Sequence, residues 1–580
     1  MKNKTFRRCV DLAKPHLKTI AVVSIFSIIL DLIEIFKPYL IKVLIDNYLS
    51  LNIYQKGFIS VVSIGIIYLI VAIIEYIIDL FTNIKTNNMG EEILFSLRNR
   101  IFKYTQEACI TFHDKIPAGT LYVRITNDVD DISSLFKDVV TTLFKDIISI
   151  IAILGIMLYF SFKLSLVTFI IIPFVIITSI VLTIILNKLY DKSKVIRTNL
   201  NVFLAESIYG AKLIKIFNIQ DEQEIECKEI TKKYEYTRFP TSIFEGLFPG
   251  MMLLFENLAI AIIIYAVIYK WLGIQVEVGS IYIFTTYIKN LFDPINRIID
   301  NVEIIQEAQV SINKIYDIIE HDEYLEDLNS GKEIENPKGK IEFKHVWFSY
   351  DNKNWILKDI SFTINPKETI ALVGRTGSGK TTITNLINRF YDVTKGEILL
   401  DGVNINEYSK KSLREHIGTV LQDPFVFAKS IEDNIKLNKK IKEQDVRNAV
   451  EMASAKDFVF SLPHGIKEVA QERGESFSAG EKQLLAFARI FAHNPDIFIL
   501  DEATANIDTN TESLIQKSIN FLSKEKSAIF IAHRLSTIVN VDKILVLQNG
   551  EIIEEGNHNE LLNKDGYYAK LYNSFYESLG

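Results

Sequence analysis

Long apolar runs dominate roughly the first 300 residues, whereas roughly the last 240 mix short apolar runs with polar turns. A helix rises about 1.5 Å per residue, so about 20 apolar residues are needed to cross a hydrocarbon core. Runs of that kind predict six membrane helices, over about 17–45, 57–83, 134–161, 163–187, 245–270 and 278–300. The fourth is free of charge from Leu164 to Asn187, the second is strongly apolar from Gly57 to Ile74, and the others are interrupted by charge. The third and fourth are joined by a short hairpin around Ser161–Lys163. Two long connections, about 84–133 and 188–244, are helical in pattern and rich in Lys and Arg, so they predict helices that extend beyond the bilayer. The short loops near Asn47–Lys56 and Trp271–Glu277 carry almost no Lys or Arg. The positive-inside rule then puts both termini and both long connections in the cytosol. The first apolar run begins near Leu17 and passes Leu40 with no small-residue cleavage site, so it reads as a retained membrane helix.

Charges inside or near these runs are Asp31, Glu34, Glu75, Asp79, Glu256, Lys289 and Asp293. A charge facing lipid is costly, so such residues face the bundle interior, pair, snorkel, or sit on helix extensions outside the core. Glu256 and Asp31 are the candidates for an acidic-leaning translocation cavity. Tyr282, Phe284, Tyr287 and Phe292 of the sixth run read either as an apolar drug site or as plain packing.

The polar, acidic stretch from Glu320 to Asn336, punctuated by Gly331 and Pro337, reads as a linker. The expected organisation is a membrane domain over 1–319, a linker over 320–338 and a nucleotide-binding domain over 339–580. Lys340–Phe348 alternates as a strand does, and Glu368–Val373 is a second, apolar strand. That strand runs into Gly374-Arg375-Thr376-Gly377-Ser378-Gly379-Lys380-Thr381, followed by a helix pattern from Thr382. This is the phosphate-loop spacing in its strand–loop–helix setting. Backbone N–H groups freed by the glycines close around phosphate oxygens, and the helix N-terminus adds its dipole. Lys380 supplies positive charge to the β- and γ-phosphates, and Thr381 is placed to ligate Mg²⁺. Downstream, the buried-strand run Ile497-Phe498-Ile499-Leu500 ends in Asp501-Glu502. Asp501 suits Mg²⁺, and Glu502 suits a general base that polarises the attacking water.

With Ser476-Phe477-Ser478-Ala479-Gly480-Glu481-Lys482-Gln483 just before that strand, the sequence resembles the ATP-binding cassette (ABC) transporters, whose signature motif this is similar to. The resemblance implies that Ser478 and Gly480 cap the γ-phosphate of a nucleotide held by the opposite subunit, with Ala479 and Glu481 in the same nucleotide-binding stretch. It implies that Tyr350 stacks on adenine, that Gln422 touches Mg²⁺ and the membrane part, that Asp508 couples the two sites, and that His533 is a switch that contacts γ-phosphate. Glu472-Arg473-Gly474 resembles a segment that exporters add to contact the membrane domain. In the membrane half, Phe112-His113-Asp114, Arg124–Asp128 and Glu206–Phe217 resemble the two cytosolic connections of exporters, which carry short coupling helices. The match therefore implies a half-transporter: an all-α domain of six membrane helices followed by an α/β phosphate-loop ATPase domain.

In this family each ATP lies between the phosphate loop of one subunit and the signature of another, so one cassette per chain implies a dimer. Here Glu502 is intact, but Phe477, Ala479 and Glu481 replace Leu, Gly and Gln of the usual LSGGQ. An intact carboxylate with a drifted signature resembles one chain of a heterodimeric multidrug exporter, so a second half-transporter is favoured as partner over a second copy. The implied activity is ATP-driven export of amphipathic substrates, drugs or lipids, by alternating access. Peptide export and an ATP-gated channel or regulatory protein are the alternatives.

Composition narrows this picture. The 580 residues are 48% hydrophobic with net charge −7, a balance that gives no basic footprint for nucleic acid. Mean hydropathy is +0.17, high for a soluble protein. Cys9, Cys109 and Cys227 are far apart and read as ordinary thiols. Abundant Ile, Lys and Asn suggest a bacterial source and hence the plasma membrane.

Overall fold

The computed structural model describes residues 2–49, 58–273, 277–501, 509–531 and 538–577. The chain divides into two compact units, Met1–Gln106 with Pro117–Asp322, and Glu107–Ile116 with Glu323–Gly580.

The first unit is helical. Its main helices are α1 (Leu17–Leu44), α2 (Phe58–Glu107), α3 (Thr141–Phe160), α4 (Ile172–Tyr209), α5 (Gln220–Ile268) and α6 (Val278–Ile319). Among the described residues, five helical runs are long and apolar enough to cross a membrane: Lys4–Asn47, Val61–Glu107, Ala118–Phe160, Phe162–Tyr209 and Gln220–Ile268. The 50 residues of α2 span about 75 Å, more than twice the ~30 Å hydrocarbon core, so the long connections do extend the membrane helices. α6 forms as one helix, but Lys289, Asp293 and Arg297 make it too polar to qualify by composition. Protein packing compensates. Ile283, Phe284, Tyr287, Ile288, Leu291 and Phe292 recur at helical spacing and are buried against α1, α3 and α5. Phe284, Tyr287 and Phe292 are thus packing residues, and the Tyr287 hydroxyl donates to the Ile35 carbonyl at 2.9 Å.

The uncharged fourth run is not one helix. Phe162–Phe169 is separated from α4 by a turn at 170–171, because Pro173 lacks an N–H and its ring collides with the carbonyl one turn back. Hydropathy does not register that break. Ser161 closes the preceding hairpin, its hydroxyl accepting from the Leu164 N–H at 3.3 Å. Of the charges noted above, Glu75 pairs with Lys37 at 2.6 Å and Asp79 accepts from Asn83 at 3.0 Å, both structural uses. At the cytosolic end, Arg8 reaches both oxygens of Glu320, at 3.0 and 2.6 Å. With Lys4, it holds that carboxyl down to about 2.

The second unit has two sheets. β1 (Ile341–Phe348), β2 (Leu357–Ile364), β4 (Lys395–Leu400) and β5 (Val403–Asn404) form an antiparallel sheet in the order β2-β1-β4-β5. The second sheet has the order β10-β9-β3-β8-β7-β6. Its strands are β3 (Thr369–Val373), β6 (Ile417–Val420), β7 (Ile497–Asp501), β8 (Ser527–Ile531), β9 (Lys543–Gln548) and β10 (Glu551–Gly556). All its neighbours are parallel except β10. Parallel strands covered on both faces read as continuous apolar runs, which is why β3, β7 and β8 do. Their side chains alternate between two cores. Ile370, Leu372, Ile497, Ile499, Ile529 and Ile531 face the antiparallel sheet, while Ala371, Val373, Phe498, Leu500, Ala528 and Phe530 face the helices.

The acidic linker is docked rather than free. Glu326 binds Arg414 through two bonds of 2.8 Å and Lys410 at 3.0 Å. Burial pushes its carboxyl up, but those bonds outweigh burial and hold it below the ordinary value of 4.5. This contribution to stability is therefore complete above about pH 4.5 and lost as pH falls through the depressed value.

Candidate nucleotide site

The site is built at the C-terminal edge of the parallel sheet, where open α/β sheets place ligands. β3 ends at Val373, and the chain turns through Gly374–Gly379 into α7 (Lys380–Ile387). Gly379 has φ +106° and a Cβ there would lie 2.5 Å from the Leu357 side chain, so only glycine fits. At Gly374 a Cβ would lie 2.3 Å from the Leu547 carbonyl. Helix α7 has no side-chain cap, which leaves its first N–H groups available to an anion. Lys380 is buried and arches over the loop, its Nζ donating to the carbonyls of Gly374 at 2.6 Å and Arg375 at 3.1 Å. The Ser378 hydroxyl is buried with no partner among the described residues. Arg375, Thr376, Gly377 and Thr381 are exposed. Thr382 is buried, and its hydroxyl lies 3.2 Å from the Tyr350 hydroxyl. Tyr350 is exposed on one side and stands edge-on to Phe348 and Tyr391, with ring centroids at 4.8 and 5.0 Å. Tyr350, the loop and α7 thus form one cluster.

Asp501 ends β7, opposite Ile531 of β8. β8 alone separates β7 from β3, so Asp501 and the loop leave the same edge about 10 Å apart at strand level. Glu502, Asp508 and His533 lie outside the described residues.

A second cluster forms around α8 (Ala479–His493). Ser478 caps this helix: its hydroxyl accepts from the Glu481 N–H at 3.3 Å, and the Glu481 carboxylate accepts from the Ser478 N–H at 2.7 Å. This reciprocal capping box accounts for Glu481 locally. Phe477, in place of Leu, is buried in the helical core edge-on to Phe458 at 5.3 Å. Gly480 is buried, and Ser478 and Ala479 are exposed. The Gln422 side chain is exposed, but its backbone is tethered. Buried Gln483 of α8 donates to the carbonyls of Leu421 at 3.1 Å and Gln422 at 2.8 Å. Gln483 has no role in the signature motif itself; only the fold brings it to residues 61 and 62 positions away.

The segment Glu107–Ile116 of the first cytosolic connection belongs to this second unit. Glu326 N–H donates to the Glu107 carbonyl at 2.9 Å, and Cys109 N–H to the Tyr324 carbonyl at 2.7 Å. Phe112 is fully buried there, and the Tyr391 hydroxyl donates to Asp114. Burial and that carboxylate both push the Tyr391 phenol up. The same Tyr391 ring touches Tyr350, so one aromatic links the docked segment to the nucleotide cluster.

A helical membrane unit fused to a phosphate-loop ATPase unit defines an ATP-driven membrane transporter. Comparison with known proteins gives the family. The description "ABC transporter transmembrane region" matches residues 20–295, and "ABC transporter" matches residues 357–505. A Streptococcus pneumoniae chain provisionally named ABC transporter ATP-binding protein exp8 is 35% identical over 98% of this chain and 96% of its own. "Probable multidrug resistance ABC transporter ATP-binding/permease protein YheH" of Bacillus subtilis is 36% identical over 83% of this chain and 72% of its own. The solved "Structure of a bacterial Atm1-family ABC exporter with ATP bound" superposes with a TM-score of 0.76 at 25% identity, covering 97% of this chain and 98% of that one. The chain belongs to the ABC transporters, and it has the exporter fold. It is a multi-pass membrane protein whose cytoplasmic ATPase domain binds and hydrolyses ATP to drive export.

Proposed function

We propose that the chain is half of a dimeric exporter that moves amphipathic molecules, drugs or lipids, by alternating access. The observation that carries this reading is the docking of Glu107–Ile116, a piece of the membrane half's own connection, within the ATPase unit. A rigid contact of that kind turns nucleotide-driven motion of the ATPase into motion of the helices. ATP favours the closed state by its differential contacts there. The named multidrug relatives support the substrate class.

In the nucleotide site, the roles follow the chemistry of each position. Tyr350 stacks on adenine. Gly374 to Lys380 cradle the β- and γ-phosphates, with the bare Ser378 hydroxyl and Lys380 Nζ turned from the loop's carbonyls to the nucleotide. Thr381, Gln422 and Asp501 offer hard oxygens that fit Mg²⁺, which when bound supplies charge neutralisation on the phosphate oxygens. Glu502 polarises the attacking water, His533 contacts the γ-phosphate and Asp508 couples the two sites. Ser478, Ala479, Gly480 and Glu481 complete a site on the partner.

The partner is a second half-transporter of different sequence. The Glu481 carboxylate occupies the Ser478 N–H and adds negative charge where a phosphate has to bind, so this signature completes the weaker of two unequal sites. Purifying the chain alone and measuring ATP turnover tests this point: full, drug-stimulated turnover overturns the heterodimer. For coupling, Asp114→Ala is expected to lower vesicle transport several-fold while ATP hydrolysis persists; transport and hydrolysis falling together would remove Asp114 from the coupling path. Glu502→Gln is expected to abolish transport in the same vesicles, and transport that survives it argues for a channel.

A further inference from the structure

The mutual packing of α1, α3 and α6 buries two carboxylates, Asp31 and Asp146, that the apolar surroundings do not explain. Asp31 lies on the buried face of α1, is 2% exposed, and has no partner for either carboxylate oxygen among the described residues. Lys145 and Asp146 of α3, Arg297 of α6 and Glu34 of its own helix are the charged groups that act on it electrostatically. Asp146 is fully buried, and its Oδ1 accepts from Arg297 Nη2 at 2.7 Å and Nε at 3.0 Å, while its Oδ2 is bare. Counting the exposed Asp293, which acts electrostatically on Arg297, four carboxyl groups share this region with two bases. Buried polar atoms almost always find partners, and bare ones call for an explanation. The group lies about 20–30 Å from the outer ends of its helices at 1.5 Å per residue, within the membrane.

We propose that Asp31 and the free oxygen of Asp146 form a counter-charge site for the cationic head of a transported amphiphile. The proposal rests on the export reading above and narrows its substrates to organic cations. Arg297 already shows that the pocket accepts a delocalised cation on Asp146. Its side chain is half-exposed, so it can swing aside and open the way to the bare oxygens. Two of the three helices carry a proline, Pro38 in α1 and Pro294 in α6. A proline leaves one backbone bond unmade and lets a helix bend at that point. Ile35, one helical turn from Asp31, belongs to a buried apolar cluster with Ile153 and Leu291, which suits the hydrophobic body that carries the charge.

The test uses the reconstituted transporter with tetraphenylphosphonium and, as uncharged probe of like shape, triphenylphosphine oxide. Binding and vesicle export of each are measured for wild type, Asp31→Asn and Asp31→Glu. Removing one charge-assisted contact is expected to weaken tetraphenylphosphonium binding about tenfold or more, with the uncharged probe unaffected and Asp31→Glu close to wild type. Equal loss for both probes makes Asp31 a structural group and overturns the site. A pH dependence of export shared by both probes and abolished by Asp31→Asn makes Asp31 a proton carrier and also overturns it. If wild type exports the uncharged probe but does not bind the cation, the site falls while export stands. If it exports neither, the export reading falls and takes the site with it.

Discussion

Two helix N-termini in the ATPase unit, both proposed above to meet nucleotide phosphate, are built differently. At α7 the cap is Gly379 in a left-handed conformation, no side chain fills the first turn, and Lys380 arches over the loop. At α8 the cap is Ser478, and Glu481 reaches back to close the turn on itself. One end keeps its N–H groups and a positive charge for an incoming anion. The other spends a donor on its own carboxylate and carries a negative charge. The usual Gln at that position can make the same capping bond without the charge, so the fold of the signature survives the substitution while its electrostatics do not. Drift in a motif is thus read better from what each atom bonds than from counting mismatches.

The largest expected effect comes from the open end. Lys380→Ala removes the only cation that the loop itself buries, and ATP turnover is expected to fall by about 10²–10³ or more, measured as phosphate release from the reconstituted transporter. A drop below tenfold would mean that Lys380 serves the loop's carbonyls alone. Next is the tether between the clusters. Gln483→Leu keeps the volume of the side chain but deletes both bonds to the carbonyls of Leu421 and Gln422. At about 1 kcal/mol per bond, the properly placed population of Gln422 is expected to fall about tenfold or more, lowering hydrolysis and its stimulation by substrate together. Unchanged stimulation would detach Gln483 from coupling. A smaller change tests the charge at α8 directly. One helical turn is about 5–6 Å, and at an effective dielectric of about 20 a like charge at that range costs about 3 kcal/mol before solvent screening. Glu481 is only half-buried, so Glu481→Gln is expected to raise turnover at the site it completes by about threefold to tenfold. No gain, with the cap intact, would break the account of unequal sites and favour two equal copies of this chain.

Local pattern made much of this legible. β3, the phosphate loop and α7 are contiguous, and Ser478 and Glu481 are three residues apart, so spacing reveals them; the capping box was itself readable as S-x-x-E, although the motif comparison registers Glu481 only as a mismatch. Five membrane helices announce themselves by composition, the sixth only weakly because Lys289 and Asp293 interrupt it, and the ABC exporter class was legible from the phosphate loop and the signature-like stretch. What escaped was of two kinds. The break before Pro173 is a backbone effect that hydropathy does not weigh. The docking of the Phe112-His113-Asp114 stretch was implied by the family resemblance, but its partner Tyr391, the tether from Gln483 and the proximity of Asp31 to Asp146 and Arg297 join residues far apart in sequence, and only tertiary packing brings them together.

The smallest change separates the cap from the charge. Ser478→Ala deletes the hydroxyl that accepts from the Glu481 N–H but leaves the carboxylate able to bind the residue-478 N–H. Losing a serine N-cap costs about 1 kcal/mol, a modest fall in the thermal midpoint of the intact transporter. Turnover at the completed site is expected to fall as well, because the role proposed for the same hydroxyl is to meet the γ-phosphate. The double variant Ser478→Ala with Glu481→Gln then discriminates. If the charge acts on the phosphate, Gln restores part of the turnover without restoring the midpoint. If Glu481 matters only as a cap, the second change leaves turnover where Ser478→Ala put it, and the difference between the two helix ends reduces to stability.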